Sequence, residues 1–338
     1  MFRTTGFVPG PAGRTLQGSD ADVVNVHWVS AGTLSIRQVS RITQPVVLTL
    51  HDMWWFCGAE HYAPDEPTAR WVSGYARMNR DQGAVGLDVD RLVWQRKRSL
   101  LPSTGNAIAP SAWLQRCARD SALLQDWRIE AIPNPVDIDV FCPTDRVQAR
   151  ARLGLDPAAT LILFASHRAA TAPIKGLDLL AQALHRVRAQ RQDIQLVIAG
   201  DAGLVNRFPR RLLVTELGFL EDPELALAYS AADVVIVPSR QESLSQVSTE
   251  AQSCGTPVVV FDACGQAETV EDRVTGALAA PFDPASLAEC IQWVLEDAER
   301  RRRLGTAARE RAVRLWSPHV VAQAYQRVYE ASRSGGAR

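Results

Sequence analysis

Asp233-Val234-Val235-Ile236-Val237-Pro238-Ser239 leads into Glu242-Ser243-Leu244-Ser245-Gln246-Val247-Ser248-Thr249-Glu250, and Cys254-Gly255-Thr256-Pro257-Val258-Val259-Val260-Phe261-Asp262 follows. The first and last of these runs are continuous β-branched apolar stretches, the pattern of strands buried on both faces. The middle one breaks from a loop into a helix of small residues, so the whole reads as strand, loop, helix, strand. Glu242 falls in the loop at the carboxyl end of the first strand and Glu250 inside the helix. In an open parallel sheet that end is where ligands bind.

Working outward, the second half alternates β-rich runs with helical patterns, which predicts a doubly wound parallel sheet. Residues 161–165, 194–199, 212–215, 234–238, 258–261 and 276–279 read as strands, with helices over 176–190, 223–231 and 245–253. Asp283-Pro284 caps and opens a further helix, and Ser317-Pro318 another, striped by Val320, Val321, Ala324, Tyr325, Val328 and Tyr329. In the first half, strands are expected at 23–26, 45–50, 106–110 and 129–132, with Ser111 as the N-cap of a helix carrying Trp113, Leu114 and Cys117. Pro133-Asn134-Pro135, continuing to Pro143, cannot be regular structure, and the domain boundary is expected there.

Composition agrees with two domains. A chain of 338 residues fits two cores of roughly 150 residues each. With 46% hydrophobic and 22% charged residues it is globular, and no run approaches the roughly 18 apolar residues that span a bilayer. Residues 1–18 lack the apolar core of a secretory signal, which points to a cytoplasmic location. The six cysteines include no C-x-x-C pair, so no disulfide framework is expected. Lys plus Arg equals Asp plus Glu at 37 each, so the overall charge gives no argument for nucleic acid as a partner.

At this point the sequence resembles the GT-B glycosyltransferases, and within them family four, retaining enzymes that use nucleotide-activated sugars. Glu242 to Glu250 matches the family's E-x7-E motif, and Ala251 to Val259 its A-x-x-C-G-T-P-V-V continuation. Thr49-Leu50-His51-Asp52-Met53-Trp54-Trp55-Phe56, His61-Tyr62 and Ala109-Pro110-Ser111 with Trp113-Leu114 look like the colanic-acid-type branch, whose members build bacterial exopolysaccharides.

The resemblance implies an α/β GT-B fold, two Rossmann-like domains with parallel sheets facing a cleft and closing over the donor at the hinge. Residues 1–140 would form an acceptor-side domain, 141–316 a nucleotide-sugar-binding domain, and 317–332 a helix packing back toward the first. The family's opening strand and glycine-rich loop have no counterpart before residue 23, so a shortened first domain is expected. Tyr75 to Asp90 replace a cysteine-bearing segment of that branch, and Pro135 stands where a glycine is usual.

The implied function is retaining transfer of a sugar from a nucleotide-diphosphate donor to a polysaccharide or lipid-linked glycan acceptor in exopolysaccharide biosynthesis. No cofactor or metal is expected. Two carboxylates can each accept hydrogen bonds from sugar or ribose hydroxyls. By resemblance Glu242 lies against the donor sugar and Glu250 against the ribose. The amides of Ser243 and Leu244 precede a helix and can donate to a diphosphate, while Gln246 can reach ring hydroxyls. Expelling a diphosphate builds negative charge that needs a counter-charge, and Arg168 and Lys175 match the family's basic pair. His51, at the carboxyl end of a strand, matches the histidine that contacts the donor sugar. Asp52 either orients that ring or binds the acceptor with Trp54 and Tyr62.

Plainer readings stand beside these. A loop glutamate, a helix glutamate or a surface arginine needs no ligand, and aromatics such as Trp54 and Trp55 more often simply pack. D-x-D occurs at Asp20/Asp22, Asp88/Asp90 and Asp137/Asp139, three unrelated contexts that argue chance rather than metal, and His51, Cys57 and His61 lack a fourth zinc ligand. The run Arg91, Arg96, Lys97, Arg98 reads as a solvated helix face or as a contact with anionic lipid at the inner membrane face. Arg300 to Arg303 read as solvated surface. Two other functions remain open: a catalytically silent nucleotide-binding relative and a sugar-nucleotide epimerase.

Overall fold

The computed structural model describes residues 3–17, 19–29, 33–166, 169, 171–200 and 202–335. Its contacts divide the chain into two compact units, Met1–Pro133 with Ala322–Arg338, and Asn134–Val321. The boundary falls before Asn134 rather than at residue 140. Val136 N–H donates to Trp316 O at 2.8 Å, and both Val136 and Phe141 are buried in the second unit's core, so the proline-rich stretch belongs to that unit. Among the described residues no helix is long and apolar enough to cross a membrane.

The first unit is a four-stranded parallel sheet in the order β1-β2-β3-β4, formed by β1 (Val24–Val26), β2 (Val46–Thr49), β3 (Asn106–Ala109) and β4 (Arg128–Ala131). Short helices α1 (Ala12–Gln17), α2 (Ile36–Val39) and α3 (Arg70–Ser73) and the longer α4 (Val89–Leu100) and α5 (Ala112–Asp120) connect the strands. Ser111 accepts from Leu114 N–H at 3.1 Å and caps α5.

Past β2 the chain enters a buried irregular segment, residues 50–63, whose backbone polar groups need partners away from water. Lys97 supplies them. Its ammonium donates to the carbonyls of Trp54, Cys57 (3.1 Å) and Gly58 (2.7 Å) and lies 3.7 Å from the Trp54 ring centre. Lys97 is 0% exposed, so neither a solvated face nor a lipid contact describes it. Val93 and Lys97 lie one helical turn apart and both face inward. Burial pulls the ammonium down to about 7.

The second unit is the doubly wound sheet. Strands β5 (Thr160–Ser166), β6 (Ile194–Gly200), β7 (Leu213–Gly218), β8 (Val234–Val237), β9 (Val258–Phe261) and β10 (Gly276–Ala279), all parallel, lie in the order β10-β9-β8-β5-β6-β7. The helices are α6 (Arg146–Arg152), α7 (Leu177–Gln190), α8 (Asp222–Ala231), α9 (Gln246–Ser253), α10 (Cys264–Ala267), α11 (Pro284–Glu296), α12 (Ala298–Trp316) and α13 (Pro318–Gly335), the last joining the first unit from Ala322 onward.

Alternate strand residues feed two cores. Ile162, Phe164, Ile236, Val259 and Phe261 pack with Leu180 and Leu184 of α7 and Ile291 of α11. Leu161, Leu163, Val235, Val258 and Val260 pack with Leu227 and Tyr229 of α8, Ala251 of α9 and Ala312 and Trp316 of α12. That period of two, with helices on both faces, explains why these strands are apolar at every position. Each such side chain contributes about 1.5–3 kcal/mol on burial.

Asp233, ahead of β8, is buried and takes Arg146 and Arg150 at 2.9 Å, Leu161 N–H at 2.8 Å and Arg301 at 3.4 Å. Arg301 is therefore part of this buried charge cluster, and Arg300 lies 4.4 Å from the Trp293 ring centre, which corrects the solvated-surface reading for these two, while Arg302 and Arg303 are exposed as expected. A carboxylate taken out of water requires such a set of donors.

Candidate functional site

The sheet order reverses direction between β5 and β8, the topological switch point at which open α/β sheets bind ligands beyond their strand ends. The loops leaving these two strands carry Lys175 and Glu242. Lys175 ends a turn of 3-10 helix, Pro173–Lys175, and Gly176 follows with φ +67. A Cβ on Gly176 would stand 1.8 Å from Pro238 O, so only glycine lets the β5–α7 loop approach the end of β8 so closely. Arg240 fastens the same approach: its N–H donates to Ile174 O at 2.7 Å and its guanidinium to both Asp178 oxygens at 2.8 and 2.7 Å.

In this frame Lys175 Nζ donates to Glu242 Oε1 at 2.7 Å, and Ser239 Oγ donates to the same oxygen at 2.9 Å. The Glu242 side chain is 13% exposed and that of Lys175 33%. The loop after β9 closes the third side, with Gly265 N–H on Glu242 O at 2.9 Å and Gln266 Nε2 on Ser239 O at 2.7 Å.

Ser243 and Leu244 are buried in the turn before α9, and Ser245 caps that helix by accepting from Ser248 N–H at 3.2 Å. Gln246 is exposed at the first helical position and accepts from Asn134 Nδ2 at 3.1 Å. One turn into the helix, the half-buried Glu250 accepts from the buried Tyr229 hydroxyl at 2.9 Å. Burial pushes the Glu250 carboxyl up to about 7, the Tyr229 hydrogen bond opposing and Asp222 adding to the rise. Arg168 lies outside the described residues.

The first unit holds a second group of candidates. A small pocket past the ends of β1 and β2 is lined by Thr4, His27, Trp28, His51, Asp52 and His61, among others. Asp52 does not orient His51. Its Oδ2 binds His61 Nδ1 at 2.7 Å and its Oδ1 accepts from Trp54 N–H at 2.8 Å, because the chain turns back so that His61 meets Asp52. Thr4 Oγ1 meets His61 Nε2 at 2.8 Å.

Trp54 is 3% exposed, donates its indole N–H to Thr4 O at 2.8 Å and packs edge-on to Trp55, so its ring is occupied by packing. Trp28, 40% exposed and stacked 5.1 Å from the His61 ring, is the aromatic that presents itself here, and the sequence reading passed it over. Tyr62 is half-buried. Burial lowers the pKa of both His27 and His51, with the neighbouring imidazole adding to the fall at His51 and Asp52 opposing it.

Among the described residues no group of three or more His, Cys, Asp or Glu could hold a metal ion. Of the D-x-D residues, Asp88 pairs with Arg70 at 2.7 Å and Asp90 with Arg3 at 3.1 Å. All six cysteines are free thiols.

Comparison with known proteins fits this geometry. Residues 146–311 match the family described as glycosyl transferases group 1, and residues 4–140 match glycosyltransferase family 4. A relative from Xylanimonas cellulosilytica, named D-inositol 3-phosphate glycosyltransferase, is 36% identical over 305 residues, covering 85% of this chain and 67% of the relative. One of the same name from Geodermatophilus obscurus is 33% identical, covering 86% of this chain and 62% of its own. Another, from Segniliparus rotundus, is 34% identical over 62% of this chain and 48% of its own length. The chain thus spans from about half to two thirds of the length of these curated relatives.

Two solved structures share the fold at 22% identity. Sucrose-phosphate synthase from Thermosynechococcus elongatus has a TM-score of 0.71 over 96% of this chain and 80% of that one. HepE from Anabaena, in complex with UDP-glucose, has a TM-score of 0.67 over 97% and 85%. With its two parallel-sheet units and these matches, the chain belongs to glycosyltransferase family 4, glycosyl transferases group 1, and has the GT-B fold.

Proposed function

We propose that the protein transfers a sugar from a nucleoside-diphosphate sugar to an acceptor hydroxyl, with retention at the anomeric carbon and without a metal. The observation that carries this reading is the Lys175–Glu242 pair at the switch point of the second unit's sheet, between the ends of β5 and β8. A diphosphate leaving group gains charge as the glycosidic bond breaks, and a preorganised ammonium opposes that charge without reorganisation. Glu242, itself held by the Ser239 hydroxyl, fixes one side of Lys175 and aims its ammonium. Arg168 is proposed as a second cation for the diphosphate, with the Ser243 and Leu244 amides as further donors. Gln246 is proposed to reach the sugar hydroxyls.

Glu250 is proposed to accept from the ribose hydroxyls. Its carboxyl, pushed up to about 7, is only partly ionised at neutral pH in the unliganded protein. Hydroxyls donating to it favour the ionised form, so nucleotide binding releases a proton and tightens between pH 6 and 8. His51 is proposed as the sugar-contacting histidine of the first unit, with Asp52 and Tyr62 on the acceptor side. Front-side attack is the proposed course, in which the donor phosphate helps to deprotonate the acceptor.

The UDP-glucose held by HepE supports a nucleotide-sugar donor, and the name of the curated relatives, D-inositol 3-phosphate glycosyltransferase, supports sugar transfer. For the acceptor, a glycan or lipid-linked glycan of the cell surface and a phosphorylated polyol are the two classes to assay. The test is a panel of nucleotide sugars with both acceptor classes, scored for transfer and for anomeric configuration. Glu242→Ala is expected to lower turnover by on the order of 100-fold. Binding of nucleotide with no turnover on any acceptor would favour a silent binding protein instead.

A further inference from the structure

β1 and β2 are parallel neighbours, with Val24 opposite Val46 and Val26 opposite Leu48, so the chain leaves their carboxyl ends side by side. His27 and Trp28 follow the first strand, His51 and Asp52 the second, and all four line the small pocket together with His61. Trp28 stands out among them. An indole is large and apolar, yet 40% of this residue stays exposed although its ring has a packing partner.

That partner is His61, stacked at 5.1 Å between ring centres and 23° between planes. His61 is in turn held by Asp52 Oδ2 at 2.7 Å and Thr4 Oγ1 at 2.8 Å, and Asp52 by Trp54 N–H at 2.8 Å. One face of the indole therefore rests on an anchored backing, and the other face and the edge carry the exposure. Such a surface offers broad apolar contact and loses little conformational freedom when a ligand settles on it.

The charges around it select the ligand. Among the described residues lining the pocket none is lysine or arginine, and Asp52 brings a carboxylate. Burial lowers the pKa of His27 and His51, so both rings are uncharged at neutral pH. Two cations close by are engaged elsewhere. Lys97, against Trp54, is 0% exposed and donates to three backbone carbonyls. Arg3, beside Thr4, pairs with both oxygens of Asp90 at 3.1 and 3.2 Å. A phosphate group needs positive partners and is repelled by a carboxylate. The C–H face of a pyranose needs only a flat apolar ring, with its hydroxyls left for the few polar groups around it.

We propose that Trp28 is the stacking platform of an acceptor subsite that takes an uncharged sugar ring and turns away a phosphorylated one. Of the two acceptor classes named above, this selects the glycan. The acceptor role rests on the transferase reading; the preference of the Trp28 pocket for a neutral ring stands apart from it.

The experiment is saturation-transfer NMR on the purified protein with methyl glycosides of glucose, galactose and mannose, challenged with glucose 6-phosphate and inositol monophosphate. Acceptor kinetics with the nucleotide sugars run alongside. Ring C–H protons of at least one methyl glycoside should receive saturation, and neither phosphate should displace it at equal concentration. Trp28→Ala should abolish the transfer and raise the acceptor KM about 10-fold, more than it lowers kcat. Trp28→Phe keeps a flat ring and should recover most of both, with urea unfolding showing that each variant is folded. Binding of no methyl glycoside, displacement by either phosphate, or binding that Trp28→Ala leaves unchanged overturns the proposal. Failure of the unsubstituted protein to turn over any nucleotide sugar would count against the transferase reading and leave the NMR arm able to decide the subsite.

Discussion

Replacing Lys175 by Met removes the ammonium while keeping most of its aliphatic stem, and it separates two roles that the Glu242 contact combines. As a structural ion pair, the contact is intermediate: the Lys175 side chain is 33% exposed and that of Glu242 13%. Exposed pairs contribute about 0.2–1 kcal/mol, while truncating one partner of a buried pair costs about 3–5 kcal/mol. Ser239 Oγ continues to donate to the same Glu242 oxygen, so the loss in stability should be about 1–2 kcal/mol. A domain of ordinary stability stays folded after such a loss. As the counter-charge to a departing diphosphate, Lys175 should matter much more, with turnover falling on the order of 100-fold. Urea unfolding and a donor-turnover assay on the same purified samples measure both quantities. A Lys175→Met variant that loses the expected stability yet keeps turnover within about threefold would refute the catalytic role and leave only the structural one.

Three further outcomes follow from the same geometry. Glu250→Gln keeps an acceptor for Tyr229 but cannot ionise; because the folded carboxyl titrates near 7 instead of the ordinary 4.5, the wild-type protein loses stability relative to the variant as pH rises through that window. The gap should be near its minimum below pH 4.5 and grow by roughly 2–3 kcal/mol by pH 8, read by denaturant unfolding at each pH. Gly176→Ala should cost more than about 2 kcal/mol and depress turnover, since its Cβ would collide with Pro238 O at a backbone angle that side chains disfavour; calorimetric unfolding checks it. Lys97→Met strips donors from three buried carbonyls and should destabilise by about 3 kcal/mol. That deficit should be larger at pH 9 than at pH 6, because folded Lys97 gives up its proton near 7 while unfolded lysine holds it to 10.5, so wild-type stability from this group rises with pH between the two.

The doubly wound sheet was legible because its strands are buried on both faces, which leaves continuous β-branched apolar runs bounded by turn residues. Glu242, Glu250 and Lys175 were legible for a related reason: each follows such a run, Lys175 and Glu242 in the connection to the next helix and Glu250 within that helix. What escaped notice depends on contacts across long sequence separations. Arg240 looks like any loop arginine until its N–H meets Ile174 O and its guanidinium meets Asp178. Gly176 reveals its purpose only against Pro238.

Lys97 and Arg301 were misjudged as members of basic runs, although helical spacing carried a signal in both cases. Val93, Trp94 and Lys97 share the buried side of α4, and Leu304, Ala308 and Ala312 recur every four residues along α12, marking as a packed helix a segment whose charges had suggested open surface. His27 and Trp28 follow a strand of only three residues, too short to announce what its end presents.

The second unit is proposed to hold a nucleoside-diphosphate sugar against Lys175, Glu242 and Glu250. Isothermal titration calorimetry with a panel of nucleoside diphosphates and their sugars, at pH 6 and pH 8, tests it most directly. One-site saturable binding that tightens toward pH 8, and that weakens at least about 10-fold in Glu250→Ala, is the predicted result. Binding of no member of the panel, or binding that Glu250→Ala leaves unchanged, would contradict it.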